Sequence, residues 1–77
     1  MKEMKEQVLE ILKSKVKGDV KIERDYSHIG WDITIEYHDF NFIIFVIDEY
    51  IRTYPVNELV QFIIEGYKHE IYNYYFK

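Results

Sequence analysis

The chain has 77 residues, 48% of them hydrophobic and 18% aromatic, with no cysteine and a formal net charge of −4. That length has room for one core and a single domain spanning 1–77, and the apolar content is far above that of a disordered segment, which cannot offset its chain entropy. The missing cysteine excludes a disulfide framework, a thiolate metal site and a thiol nucleophile, so packing must hold the fold.

Met4, Val8, Ile11, Leu12 and Val16 recur at spacings of three and four among lysines and glutamates, the pattern of an amphipathic helix that Gly18 stops. Glu3 and Glu6 near its start, and Lys13, Lys15 and Lys17 near its end, complement the helix dipole. From Asp19 the period changes to two. Val20, Ile22 and Tyr26 alternate with Asp19, Lys21, Glu23 and Asp25, and Arg24 interrupts the apolar parity. Ser27, His28, Ile29 and Gly30 read as a turn, after which Trp31, Ile33, Ile35 and Tyr37 alternate with Asp32, Thr34, Glu36 and His38. If His38 and Asp39 close a two-residue loop, Tyr37 lies opposite Phe40. Phe40, Phe42, Ile44 and Val46 then join the core, and Asn41, Ile43, Phe45 and Ile47 point to the reverse of the sheet. Residues 48–54 read either as a frayed strand end or as a loop. Pro55 marks a first helical turn, with Asn57 as a competing cap. The stripe Val56, Leu59, Val60, Ile63, Tyr67, Ile71 and Tyr74, widened by Ile64 and Tyr75, predicts a long helix running to the C-terminus.

The expected class is therefore α+β, with the order α-β-β-β-α and both helices on one face of a three-stranded antiparallel meander. In topology this resembles the double-stranded-RNA-binding domain. That family grips RNA with a lysine cluster opening its second helix, whereas Pro55-Val56-Asn57-Glu58-Leu59 has no basic residue. Its histidine-bearing strand loop carries Gly-Pro, where this chain has Ser27-His28-Ile29-Gly30. The resemblance implies the shape without the RNA-binding motifs.

Charge is uneven along the chain: residues 1–18 sum to +2, residues 19–50 to −6 and residues 51–77 to zero. The strand region is thus the acidic part, which disfavours nucleic-acid backbones as partners. Glu23, Asp25, Asp32 and Glu36 share the side of the sheet opposite the helices under either hairpin register, where Lys21 and Arg24, solvent or a basic partner must relieve them. No phosphate loop, dinucleotide fingerprint, nucleophile elbow or zinc-type helix pair occurs, and His28, His38 and His69 read as surface residues. No catalytic residue, cofactor or metal is expected, and the acidic side reads as a solvated face.

Two apolar features are left over. Ile43, Phe45 and Ile47 form a row on the uncovered side of the sheet, and Phe62, Tyr72 and Phe76 fall opposite the main stripe of the last helix. The expected function is a noncatalytic protein-interaction module, homodimeric through Ile43, Phe45 and Ile47, with Glu23, Asp25, Asp32 and Glu36 as an acidic rim. The alternative is an acidic inhibitor that imitates nucleic acid, using Glu23, Asp25, Asp32, Glu36 and Asp39 against a basic cleft. No apolar leader core or membrane span is present, so the expected location is the cytoplasm. The absence of alanine and the scarcity of arginine, glycine and proline suggest an AT-rich genome, that of a low-GC bacterium or its phage.

Overall fold

The hydrophobic periodicities become structure in the order α1 (Met4–Lys15), β1 (Asp19–Asp25), β2 (Gly30–Tyr37), β3 (Phe40–Ile47), α2 (Asp48–Thr53) and α3 (Val56–Tyr75). The computed structural model describes residues 4–76; Glu3, expected at the start of the first helix, lies outside them. The strands form one antiparallel sheet in the order β1-β2-β3, so the short connections of the chain place neighbours side by side and leave β1 and β3 as edges.

Register follows the turns. Tyr37 pairs with Phe40 across the two-residue turn, and His38 takes the left-handed backbone (φ 55°) that such a tight hairpin requires. Gly18 also has positive φ, 120°, where α1 hands over to β1, and a Cβ there would run into the Glu36 carbonyl oxygen. The alternation then sorts the strands. Val20, Ile22, Ile33, Ile35, Phe40, Phe42 and Val46 are buried beneath the helices, while Asn41, Ile43 and Phe45 are exposed on the other side. Val8 and Leu12 of α1 and Leu59, Val60, Ile63, Ile64 and Tyr67 of α3 close the core over them. Phe40 and Phe42 pack on the Tyr67 ring at centroid distances of 6.3 and 5.8 Å, and the Tyr67 hydroxyl donates to the Lys17 carbonyl at 3.3 Å. Burial of that ring pushes the Tyr67 phenol above its ordinary pKa.

Two expectations need correction. Tyr26, expected to continue the buried parity of β1, lies in the β1–β2 turn and is 84% exposed, because Asp25 ends the strand by gathering the turn around its own carboxylate. Residues 48–54, expected as strand end or loop, contain the six-residue helix α2. A helix that short is unstable alone. It forms because Asp48 in its first turn is clamped by Arg24, at 2.6 and 2.8 Å through both guanidinium nitrogens, and because Ile51 packs on the core. The Asp48 backbone N–H also donates to the Ile29 carbonyl at 3.1 Å, tying α2 to the β1–β2 turn.

Candidate functional site

β3 carries the most distinctive surface of the molecule. Its sequence, Phe40–Ile47, contains no charged residue over eight positions, yet it is an edge strand with no further strand beyond it among the described residues. Its even-numbered residues point under the helices. Its odd-numbered side chains stand on the open face: Ile43 is 68% exposed, Phe45 39% exposed and Ile47 half-buried. The expected row is thus brought together as a continuous strip.

Phe45 is the anchored member of that strip. Its ring lies across Gly30 on the neighbouring strand, where an added Cβ would stand 2.5 Å from the ring, and it meets the His28 ring edge-on at 5.9 Å. A glycine in the strand supplies the bare backbone on which the ring rests. His28 is in turn oriented by Asp25, whose carboxylate lies 3.1 Å from the imidazole Nδ1 and accepts the backbone N–H groups of Ser27 and His28 at 3.0 and 3.2 Å. Burial pushes the Asp25 carboxyl up, but these hydrogen bonds and the adjacent imidazole outweigh it and hold the group below the usual carboxylate range. A histidine aimed by a carboxylate is part of the catalytic triad arrangement; here the ring packs on Phe45, and the Ser27 contact to Asp25 is made by its backbone N–H. The unit braces a turn and a surface aromatic.

The four expected acidic residues are placed differently from one another. Glu23 and Asp32 are direct cross-strand partners, and Asp32 is also opposite Phe45 on its other side. Glu36 forms an exposed ion pair with Lys21 at 3.3 Å. Asp25 is committed to its turn. Arg24, offered by the sequence as relief for this face, sits on the opposite one: it pairs with Asp48 and lies 5.0 Å from the Trp31 ring centroid. The Arg24 hydrogen bonds hold the Asp48 carboxyl below its ordinary range and raise the guanidinium in return. Asp39, at the tip of the β2–β3 turn, accepts the hydroxyls of Tyr74 and Tyr75, each at 3.2 Å. The Asp39 charge raises the Tyr74 phenol; for Tyr75, burial is the larger cause and Asp39 adds to it.

The histidines His38 and His69 are exposed, with His38 against the Tyr37 ring at 4.3 Å and His69 beside Asn73 at 3.2 Å. Among the described residues no group of three or more His, Asp or Glu side chains is placed to hold a metal ion, and no helix is long and apolar enough to cross a membrane. An apolar cleft of about 180 Å³ opens between α1, α2 and the sheet, walled by Val8, Ile33, Val46 and Ile51, with Lys5 5.7 Å from the centroid of Trp31 at its edge. Among its described lining residues Lys5 is the one titratable group, so the walls offer no acid–base pair. Sequence reasoning did not find the Arg24–Asp48 clamp or the pair formed by Tyr50 of α2 and its C-cap residue Tyr54, because both depend on a helix whose periodicity is too short to read.

Comparison of the chain with known protein families, with curated proteins and with solved structures finds no match.

Proposed function

We propose that the protein is a noncatalytic interaction module that associates with a second copy of itself through β3. The observation that carries this reading is an uncharged edge strand whose outward side chains, Ile43 and Phe45, are exposed on a sheet face that no helix covers. Unpaired strand edges recruit other strands unless charge or proline blocks them. An antiparallel pairing of β3 with its symmetry mate is self-complementary, so one patch serves both partners of a two-fold dimer and the sheet continues across it. Phe45, already held by Gly30 and His28, loses little freedom on docking.

The surface also sets the strength. At about 3.4 Å per residue the edge is about 27 Å long, and a strip about 10 Å wide buries roughly 550 Å² over both copies, below the roughly 1,200 Å² at which stable complexes begin. The dimer is therefore weak and concentration-dependent. Sedimentation across micromolar to millimolar protein tests it: the average mass rises with concentration in the wild type, and Ile43→Lys returns it to the monomer. A wild type that remains monomeric throughout removes this function. Added salt leaves the apolar association in place. Imitation of nucleic acid by Glu23, Asp25, Asp32, Glu36 and Asp39 has less support, since the Glu36, Asp25 and Asp39 carboxylates are engaged within the chain.

A further inference from the structure

A second surface lies away from β3, where α2 and α3 leave a cleft of about 330 Å³ between them. α2 supplies Tyr50 and, at its extended C-cap, Tyr54, while α3 supplies Glu58 and Phe62, four residues apart and therefore on one face of that helix. The two tyrosine rings stand 5.6 Å apart at 79°, so they form a corner of two nearly perpendicular walls. Buried Leu59 lies between α3's pair, and the three aromatic rings are each about half exposed. No lysine, arginine or histidine is among the lining residues.

We propose that this cleft binds a quaternary ammonium group, carried by a small choline-like molecule or by a trimethylated lysine side chain. The chemistry matches part by part. The negative faces of aromatic rings attract a cation held within about 6 Å, and a corner of rings places more than one face against it. The methyl groups of a quaternary ammonium are apolar and ask for no hydrogen bond, which suits walls of tyrosine, phenylalanine and leucine. Glu58 supplies the opposite formal charge. The groove at the far end of α3, lined by Tyr72, Tyr75 and Phe76, has Lys68 among its residues and repels the same ligand.

The test is a titration of the full chain followed by amide NMR shifts, using choline, its uncharged carbon isostere 3,3-dimethylbutan-1-ol, and a short peptide bearing trimethyllysine. Choline is expected to shift the amides of Tyr50, Tyr54, Glu58 and Phe62 and to bind roughly ten-fold tighter than the isostere, the size of a cation–π contribution from two rings. Tighter binding of the peptide than of choline assigns the group to a modified protein, and the reverse order to a free small molecule. Glu58→Gln and Tyr54→Leu are each expected to weaken choline by about five-fold, while Tyr72→Leu leaves it unchanged. Equal binding of choline and its isostere, shifts that map elsewhere, or no shifts at about 20 mM ligand, weaker than any millimolar affinity, overturn the proposal. The β3 strip is untouched by these variants, so self-association and cation binding stand or fall separately.

Discussion

The two edges of the sheet have the same length class and the same neighbour, β2, yet they are opposites in chemistry. β1 places Asp19, Lys21, Glu23 and Asp25 along its open side and Arg24 on the other. β3 has no charge at all, and its open side is Asn41, Ile43, Phe45 and Ile47. A charged edge resists the addition of a further strand because its ions lose water when one docks; an uncharged edge has no such barrier. The contrast teaches that burial explains only half of β3. Its helix-facing residues are apolar because the core requires it, but nothing in the fold of the single chain requires Ile43 to be apolar, which is why the proposed self-association is placed there.

The largest expected effect separates the two faces of β3 itself. Phe42→Ala removes a buried ring from the core and is expected to cost about 3–5 kcal/mol, whereas Ile43→Ala, one residue on, is expected to change stability by less than about 0.5 kcal/mol; urea denaturation of both variants measures the difference. A similar loss in both would mean that the open face is not open. The next effect concerns the other edge. If charge is what keeps β1 unpaired, the double variant Lys21→Val, Glu23→Val is expected to self-associate several-fold more strongly than the wild type in sedimentation, and an unchanged mass would break the comparison drawn above.

The smallest effect is in the pH dependence. The Arg24 hydrogen bonds depress the Asp48 carboxyl, so the unfolded chain binds the proton more readily than the folded one. This contribution is fully present above the unfolded carboxylate pKa of about 4 and is lost as pH falls through the lower folded value. Arg24→Met should therefore lower the urea midpoint at pH 7 and leave a smaller deficit near pH 2, where both proteins have lost the pair. Asp25, depressed as well, retains part of the acid limb in the variant. An equal deficit at both pH values would show that Arg24 acts through its packing on Trp31 rather than through its charge.

Much of the fold is legible because its signals are local. The period-two alternation of Asp32–Tyr37 and Phe40–Val46 and the two-residue turn at His38 and Asp39 suffice to set the register in which Tyr37 meets Phe40, and that register alone sends Ile43 and Phe45 to the open face. The stripe of α3 is equally plain from Val56 to Ile71, whereas Tyr74 and Tyr75, expected to continue it, are exposed. Tyr26 misled because its parity is correct and its backbone is not: the Asp25 carboxylate captures the following N–H groups and turns the chain away before the ring reaches the core. Of the candidate surface, the apolar row could be read from parity, but the support of Phe45 by Gly30 and His28 could not, since it joins residues from three places in the chain.

The sequence by itself determined the order of α1, the three strands and α3, the side of the sheet that the residues of β2 and β3 occupy and the uncharged character of β3, because helix and strand periods and tight-turn chemistry act over a few neighbouring residues. Only the tertiary structure decided the rest. α2 exists because Arg24, twenty-four positions earlier, meets Asp48, and Tyr50 of α2 and its C-cap residue Tyr54 line one cleft with Glu58 and Phe62 because α2 and α3 converge there. Contacts between distant segments leave no periodic trace in the chain, since what fixes them is the shape and charge of a surface that exists only after folding.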